Sequence, residues 1–412
     1  MKTSFLDHNP YRERFVIEDP GLIYLDGNSL GRLPRATVTH LQQVIHQQWG
    51  TELIGGWNRH WLALARRIGD KIGRLIGVET GETVVCDSTS VNMFKLAWAL
   101  LQDCGTRTTI ITDATNFPTD IYILDGISKL CDRPYQVRVI DLPVPNHREV
   151  FQALDRAIDS DTALVSLSHV HFKSGYAFDV GAITRLAHAK GARILWDVSH
   201  SVGAMPIALG EARVDAAVGC TYKYLNGGPG APAFLMMRQD LQPLLHNPIQ
   251  GWFGADRPFD FSTRYVPNPG IDRFTVGTPP ILSLSAIEPG VDLVLEAGID
   301  SLRERSLELS ERFIEWIDLR LEPLGFSLQT PRDPAMRGSH ISLAHPNAWQ
   351  ITQDLIQRFK VIPDFREPST IRFGITPLYT VIGEIESAVD ALETSVRDQS
   401  FRNHPPSRNG VT

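Results

Sequence analysis

The feature that most constrains the fold is a regular alternation of short apolar runs and longer helical patterns through the middle of the chain. The runs are rich in Val, Ile and Leu, which is typical of strands buried on both faces. They lie at residues 83–86, 109–112, 136–141, 163–168, 193–196, 216–219 and 233–237. Helical patterns separate them at 91–102, 120–130, 149–158 and 180–190. This alternation predicts an α/β fold whose large domain has a mostly parallel seven-stranded sheet covered by helices.

The pattern changes towards the C-terminus. Short strand candidates at 340–343, 361–362 and 371–375 alternate there with helices near 348–359 and 381–397, which indicates a smaller α+β domain. The predicted organisation is a large domain over 51–290 and a small one over 291–397. We expect residues 1–50 to pack with the small domain and the polar residues 398–412 to form a flexible tail.

Composition disfavours several classes of protein. The 412 residues carry a net charge of -7, which disfavours a nucleic-acid partner. No run approaches the roughly 18 apolar residues of a membrane span, and no apolar signal segment opens the chain. The four cysteines have no CxxC spacing. In a chain this long they indicate reduced thiols in the cytoplasm rather than a disulfide framework. We therefore expect a cytoplasmic enzyme with a small-molecule substrate and neither a membrane nor a nucleic-acid partner.

An acid and a lysine follow two neighbouring strands of the predicted sheet. Asp197 ends one strand with His200 just after it, and Tyr222 and Lys223 follow the next. Ligands bind at the carboxyl ends of the strands in such sheets, so these side chains are expected to gather there. A lysine that bonds to pyridoxal phosphate (PLP) and a carboxylate beside its ring nitrogen would fit this arrangement. An Asp–Lys ion pair is the alternative interpretation.

A phosphate group would need a cradle of donors, and the segment 87–90 offers one. Thr89 and Ser90 stand where a strand leads into a helix, and hydroxyls with free backbone N–H groups at a helix start bind phosphate. An ordinary Ser/Thr N-cap is the commoner meaning of such a segment. Neither GxGxxG after the first strand nor GxxxxGK[ST] occurs, which disfavours a dinucleotide fold and a P-loop.

Three further segments carry candidate site residues. Phe117 precedes Pro118, Thr119 and Asp120 in a predicted loop, where its aromatic ring could stack on a cofactor. A helix that begins at the proline is the alternative interpretation of this segment.

His169 and His171 have the spacing of a metal-binding pair, but the sequence offers no clear third ligand. We therefore predict no metal and expect Ser168 or His171 to face the cofactor instead.

Arg372 stands alone between apolar residues of a predicted strand. A guanidinium in that position suits a two-point clamp on a substrate carboxylate. An arginine at a surface edge is an equally common alternative.

Taken together, these segments resemble the kynureninases, PLP enzymes of fold type I in the class V aminotransferase group. The similar segments run in order from about residue 20 to 380. They are residues 24–31, 117–120, 170–172, 196–204, 222–230, 273–274 and 277–280. The lysine segment alone indicates only fold type I, whereas the segments around Asn28, Phe117 and Trp252 narrow the resemblance to kynureninase.

The resemblance implies a role for each matching residue. It makes Lys223 the lysine bonded to PLP, Asp197 the partner of the ring nitrogen and Tyr222 a third catalytic group. It implies substrate contacts for Arg372, which would bind the α-carboxylate, and for Asn28. The implied cofactor contacts are Thr89, Ser90, Phe117, Pro118, Thr119, Asp120, Ser168, Asp197, His200, Tyr222 and Lys223, with Trp252 and Thr278 reaching across from a second subunit of a homodimer.

The implied reaction is the hydrolysis of L-kynurenine to anthranilate and L-alanine by Cβ–Cγ cleavage, with the 3-hydroxy form as a candidate second substrate. The implied pathway is tryptophan catabolism, with a link to pyridine nucleotide biosynthesis. Another fold-type-I PLP lyase or aminotransferase, or a non-catalytic PLP-binding regulator, remains as an alternative. A cysteine desulfurase is disfavoured because all four cysteines precede Lys223, whereas the nucleophilic cysteine of those enzymes follows the lysine.

Overall fold

The large sheet has seven strands, and all but one of them run in the same direction. The structure is a computed structural model that describes residues 8–131 and 133–406. The strand order is β2-β8-β7-β6-β5-β3-β4, and β8 alone is antiparallel to its neighbours. The strands are β2 (Thr83–Val85), β3 (Thr109–Asp113), β4 (Gln136–Ile140), β5 (Thr162–Ser168), β6 (Arg193–Asp197), β7 (Ala216–Gly219) and β8 (Phe234–Met237). The predicted α/β fold with a mostly parallel seven-stranded sheet is confirmed.

Helices cover both faces of this sheet, and the strand sequences show why. In β6, Ile194 and Trp196 face one apolar core and Leu195 faces the other, so the three central positions of the strand are all apolar. The helices before and within this layer are α1 (Arg35–Gln43), α2 (Leu64–Leu75), α3 (Thr89–Gln102), α4 (Pro118–Leu130), α5 (His147–Ala157) and α6 (Val180–Ala189). None of the helices within the described residues is long and apolar enough to cross a membrane.

A second sheet of four antiparallel strands follows, in the order β12-β13-β10-β9. Its strands are β9 (Ser327–Leu328), β10 (His340–Ala344), β12 (Asp364–Arg366) and β13 (Thr370–Gly374). Helices α8 (Ile299–Trp316), α9 (Ala348–Phe359) and α10 (Ile382–Arg397) enclose a third core with this sheet. Ile341 and Phe373 face that core, so the alternate residues of β10 and β13 face the large sheet's side of the molecule.

The predicted domain boundary at residue 290 lies inside a helix. Helix α7 (Ile281–Ala297) continues through Pro289 and ends at Gly298, whose φ of +77° turns the chain into α8. Packing on the core of the large sheet holds α7 along its length, on both sides of Pro289. At Gly290 the helix comes so close to the segment after Lys223 that a Cβ would lie 2.2 Å from the Leu225 carbonyl oxygen.

The described part of the N-terminal segment contacts both layers. Strand β1 (Ile23–Tyr24) pairs in parallel with β11 (Val361–Ile362), and Asp26 forms a β-bridge with Gly374 on the small sheet. Helix α1 packs instead against α7. Residues 1–7 lie outside the described residues.

The predicted flexible tail is wrong for its described beginning. Phe401 is buried in the third core, and the Ser400 hydroxyl and the His404 ring both hydrogen-bond to the buried Asp354 carboxylate. A single aromatic anchor and a buried acceptor therefore hold a segment whose overall composition is polar. The last six predicted tail residues, 407–412, lie outside the described part of the chain.

We expect Gly69→Ala to lower the free energy of unfolding by about 1–3 kcal/mol, as overpacking does. A Cβ at residue 69 on α2 would lie 2.4 Å from the Thr83 carbonyl oxygen of β2, where neither backbone has room to move. Gly126→Ala on α4 is the matched control, because nothing lies within 4 Å of its added Cβ. The control should gain about 0.5–1 kcal/mol of helix propensity. Urea unfolding measures both, and a Gly69→Ala protein as stable as wild type would contradict the close packing.

Candidate active site

The side chains at the carboxyl ends of the large sheet surround a cavity of about 200 Å³. Asp197 is the last residue of β6, and Lys223 follows β7 in the adjoining loop. Lys223 Nζ lies 3.2 Å from His200 Nε2. The cavity brings together most of the predicted contacts; its lining residues are Ser88, Thr89, Ser90, Phe117, Thr119, Asp120, Asp197, Ser199, His200, Tyr222, Lys223, Gly230, Ala231 and Ala233.

One end of the cavity is built to hold an anion. Ser88 caps α3 by accepting a hydrogen bond from Val91 N at 3.3 Å, so the hydroxyls of Thr89 and Ser90 stand at the helix start with free backbone N–H groups. Gly230, with a φ of +68°, faces them, and no atom lies within 4 Å of where its Cβ would be. The donors and the open space fit the phosphate of PLP.

The loop that presents this anion site is fixed by a buried lysine. Lys95 on α3 is fully buried, and its ammonium donates to Asp87 Oδ2 at 2.6 Å and to the Phe274 carbonyl oxygen at 2.6 Å. Asp87 holds a left-handed backbone conformation with a φ of +48°, which is uncommon for a residue other than glycine. The ion pair stabilises this turn directly before Ser88.

Two buried carboxyl groups meet at the other end of the cavity. Burial and the nearby Asp197 carboxylate raise the pKa of Asp120 well above its usual range. Asp120 Oδ2 has no hydrogen-bond partner among the described residues, whereas Asp197 Oδ1 accepts from Ser199 N at 2.7 Å. An unsatisfied carboxylate pair needs a cationic donor between or beside its members, and the protonated ring nitrogen of PLP fits that need.

Phe117 also lines the cavity, and it is 40% exposed. It is the N-cap of α4 and packs edge-on against Phe172 at 5.3 Å between ring centroids. Pro118 is the first residue of α4 and fixes the turn without lining the cavity, while Thr119 lines it. The ring is therefore placed to cover a flat cofactor lying between the phosphate cradle and the carboxyl pair.

Besides Pro118, three predicted cofactor contacts lie outside this cavity in the single chain. Ser168 is buried behind it and donates to Asn116 Oδ1 at 2.5 Å. Trp252 lies in a separate groove, where it stacks on Phe261 at 6.1 Å between centroids. Thr278 lines a third cavity of about 290 Å³. The strand-end pattern could not separate residues that line the cavity from residues that support it.

Arg372 is 1% exposed, which excludes the alternative of an arginine at a surface edge. Its Nε donates to Asp364 Oδ2 at 2.9 Å, and its Nη2 contacts the same oxygen and Ser29 Oγ at 3.2 Å. Nη1 donates to the Phe172 carbonyl oxygen. Asn28 lies nearby with no exposure, and neither polar atom of its side chain has a partner within the described residues.

Sequence reasoning missed Asp364, Ser199 and Lys95. Asp364 and Arg366 flank the core residue Phe365 on β12, and that polar–apolar–polar alternation is the signal that could have revealed an inward-facing acid. Ser199 could have been found from its place two residues after Asp197. Nothing in the sequence distinguishes Lys95 from a surface lysine of a helix, since only tertiary packing buries it.

The two histidines that raised the question of a metal differ in their surroundings. His171 Nε2 lies 3.5 Å from Asp113 Oδ2, and its ring contacts the Thr115 hydroxyl. Burial lowers the pKa of His169 to about 4. Over residues 8–131 and 133–406, no group of three or more His, Cys, Asp or Glu side chains is arranged to hold a metal ion.

Asp26 makes stability depend on pH. Burial and the Asp364 carboxylate raise the pKa of Asp26 to about 7. The folded protein therefore keeps a proton on Asp26 between its ordinary pKa near 4 and about pH 7, where the unfolded chain has lost it. Because the native state binds more protons there, stability from this group falls as the pH rises through that window.

We expect Asp26→Asn to become more stable relative to wild type as the pH rises from 4.5 to 8, by up to about 4 kcal/mol. Asparagine keeps the residue neutral at every pH. Urea unfolding at several pH values measures the difference in unfolding free energy between the two proteins. A difference that stays constant across the range would contradict the raised pKa.

Comparison with known proteins agrees with this geometry. The family model described as the kynureninase C-terminal domain matches residues 302–392. The kynureninase of Pseudomonas fluorescens is 45% identical over 388 residues, which are 93% of this chain and 91% of that protein. The kynureninase of Burkholderia pseudomallei strain 1106a is 42% identical over 398 residues, 95% of this chain and 93% of that protein.

Solved structures of other enzymes share the fold. The apo cysteine desulfurase of Thermococcus onnurineus NA1 superposes with a TM-score of 0.80 at 17% identity, covering 95% of this chain and 99% of that one. A C-DES mutant with glycine covalently linked to the PLP cofactor gives 0.81 at 17% identity, covering 93% of this chain and 98% of that one. The fold is therefore PLP fold type I. By its sequence identity to the curated relatives along nearly all of its length, this chain belongs to the kynureninase family.

Proposed function

We propose that this protein uses PLP to hydrolyse L-kynurenine to anthranilate and L-alanine, a step of tryptophan catabolism. The observation that carries the proposal is one cavity that holds Lys223, the Asp120–Asp197 pair and an anion cradle, with the buried Arg372 on the sheet that faces it. Family membership supports the same reaction. We extend the proposal to 3-hydroxykynurenine as a second substrate and to pyridine nucleotide biosynthesis as the use of the product.

The residues assign a place to each part of the cofactor. Thr89, Ser90 and Tyr222 would hold its phosphate, Phe117 would cover its ring, and Asp197 would face the ring nitrogen with Asp120 beside it. Two carboxyl groups this close would not both be ionised without a cation, so they would keep the ring nitrogen of bound PLP protonated. When bound, PLP supplies an electron sink for the bonds that break at the substrate's Cα and Cβ.

Lys223 is the group that moves the proton of Cα. Once substrate had displaced it from PLP, the Lys223 amine would be the base that takes this proton. Burial and the charge of Lys223 lower the pKa of His200 well below its usual range, so the His200 ring is neutral and its Nε2 can accept a hydrogen bond from Nζ. That contact holds the amine in position between proton transfers.

Tyr222 is the nearest acid on the lysine's own loop. The neighbouring Cys220 thiol and partial burial raise the pKa of the Tyr222 phenol, so it stays protonated at neutral pH. A protonated phenol can donate to the phosphate and can deliver a proton as the Cβ–Cγ bond breaks. Arg372 binds the α-carboxylate and thereby orients the Cα–H bond towards Lys223.

Three alternatives remain, and specific observations weigh against two of them. The only cysteine on the lysine's loop, Cys220, is 1% exposed, and burial raises the pKa of its thiol, so it is a poor nucleophile for a desulfurase reaction. A regulator without catalysis has no need of a buried arginine on the cavity side and a lysine held by His200. Another fold-type-I lyase or aminotransferase is separated by the assay below. Cys86, Cys104 and Cys220 form no disulfide, which supports a reducing compartment such as the cytoplasm.

We infer a homodimer whose sites lie at the subunit interface. Trp252 is 40% exposed and joins Phe259 and Phe261 in an aromatic cluster on the surface. Thr278 lies on a loop outside the Lys223 cavity of its own chain. A second subunit would bury the aromatic cluster and bring both residues to the partner's cofactor.

The proposed reaction is tested by mixing the PLP-loaded protein with L-kynurenine and following anthranilate fluorescence. We expect turnover by wild type and none by Lys223→Ala, which loses the base. Lys129→Ala, at an exposed position on α4, is the matched control and should keep full activity. Absence of anthranilate with a normal visible spectrum of lysine-bound PLP would refute the kynurenine reaction and leave the lyase or aminotransferase alternative.

Sedimentation equilibrium tests the homodimer. At micromolar concentration with PLP we expect the mass of two chains, and Trp252→Ala should weaken PLP retention without changing the cavity of its own chain. A monomer that retains PLP fully would contradict both the interface and the proposed roles of Trp252 and Thr278.

A further inference from the structure

His340 is a buried histidine with no partner. It lies on β10, is 1% exposed, and neither Nδ1 nor Nε2 has a hydrogen-bond partner within the described residues. Buried polar groups are almost always hydrogen-bonded, so an unpaired ring marks a place where a bound molecule completes the bonding.

The sheet register directs this ring towards the active site. In an antiparallel sheet, directly opposed residues face the same side, and here His340 opposes Gly374 while Ser342 opposes Arg372. Ile341 and Phe373 point the other way into the small core. His340 and Arg372 therefore share the polar face of the sheet.

The same face reaches the Lys223 cavity. The His340 ring centroid is 5.9 Å from that of His200, whose Nε2 is 3.2 Å from Lys223 Nζ. His340 thus shares the sheet face of Arg372 and lies close to the histidine that contacts Lys223. A substrate that spans Lys223 and Arg372 passes next to it.

Arg372 cannot bind a carboxylate as a two-point clamp without help. The Asp364 carboxylate accepts hydrogen bonds from Nε and from Nη2. The Ser29 hydroxyl accepts the second Nη2 hydrogen, and the Phe172 carbonyl oxygen accepts one hydrogen from Nη1. Of the five N–H donors of the guanidinium, one on Nη1 is left. The second carboxylate oxygen needs another donor.

Asn28 supplies a neighbouring polar group. Its Oδ1 lies 2.1 Å from where a Cβ of Gly374 would be, so glycine there lets Asn28 lie on the sheet directly across from His340. Both polar atoms of Asn28 are buried and unpaired within the described residues. Two unsatisfied side chains, His340 and Asn28, thus share the face of the sheet that carries Arg372.

We propose that His340 donates a hydrogen bond to the α-carboxylate of the bound amino acid, as a binding residue beside Arg372 and Asn28. This rests on the proposed function, which places that carboxylate at Arg372. Burial and the charges of Arg372 and Lys223 lower the pKa of His340, so its ring is neutral, with one N–H to donate. The consequence is a preference for an α-amino acid over the amine that lacks its carboxylate.

The test compares two probes that differ in the carboxylate. L-Alanine is the proposed product, and kynuramine is L-kynurenine without its α-carboxylate. Dissociation constants come from the change in visible absorbance of the PLP-loaded protein, so the test does not depend on turnover. We expect His340→Phe to weaken L-alanine about tenfold and to leave kynuramine within about twofold, as for loss of one hydrogen bond to a charged group.

Two reference variants show whether the loss of affinity comes from the contact with the carboxylate. Arg372→Ala should show the same carboxylate-selective loss in a larger amount, and His340→Gln, which keeps a donor, should recover most of the L-alanine affinity. If His340→Phe does not retain PLP, His340→Asn, which is too short to reach the carboxylate, should show the selective loss instead. Equal weakening of both probes, or no change in either, would overturn the proposal. A wild type that binds L-alanine but makes no anthranilate would refute the proposed reaction and not this contact.

Discussion

The common direction of the strands in the large sheet is the constraint on which the site depends. Strands β2, β3, β5, β6 and β7 all run the same way, so the segments that leave their carboxyl ends gather at one edge. Asp120, Asp197 and Lys223 are far apart in sequence and meet only because of this topology. The start of α3 lies at the same edge and adds the anion cradle. One rule of parallel sheets therefore assembles the cofactor end of the site.

The small sheet supplies the substrate end through a different device. Its strands alternate apolar residues towards their own core with polar residues towards the cavity, and the Arg372–Asp364 pair is the centre of that polar face. A buried ion pair contributes little net stability, but removing one partner leaves an unpaired buried charge. Its value here is that Asp364 fixes the guanidinium in one orientation. The bridge between Asp26 and Gly374 brings Asn28 to the same face.

The sequence was sufficient for features that depend on local pattern. Apolar runs located the seven strands to within one or two residues, and polar residues at strand ends located Lys223, Asp197 and Asp120. Features that depend on a partner elsewhere could not be predicted. Asp364 depends on Arg372 of a neighbouring strand and His340 lies against His200 of the large domain, and Phe401 anchors a segment whose composition is polar. The roles of Trp252 and Thr278 depend on a second chain.

The central claim is that Lys223 holds PLP in the cavity between the carboxyl pair and the anion cradle. Borohydride reduction of the PLP-loaded protein makes the bond between cofactor and lysine permanent, and peptide mass spectrometry then locates it. The account predicts the label on the peptide that contains Lys223 and its loss in Lys223→Ala. A label on another lysine, such as the buried Lys95 beside the same cradle, would contradict the account.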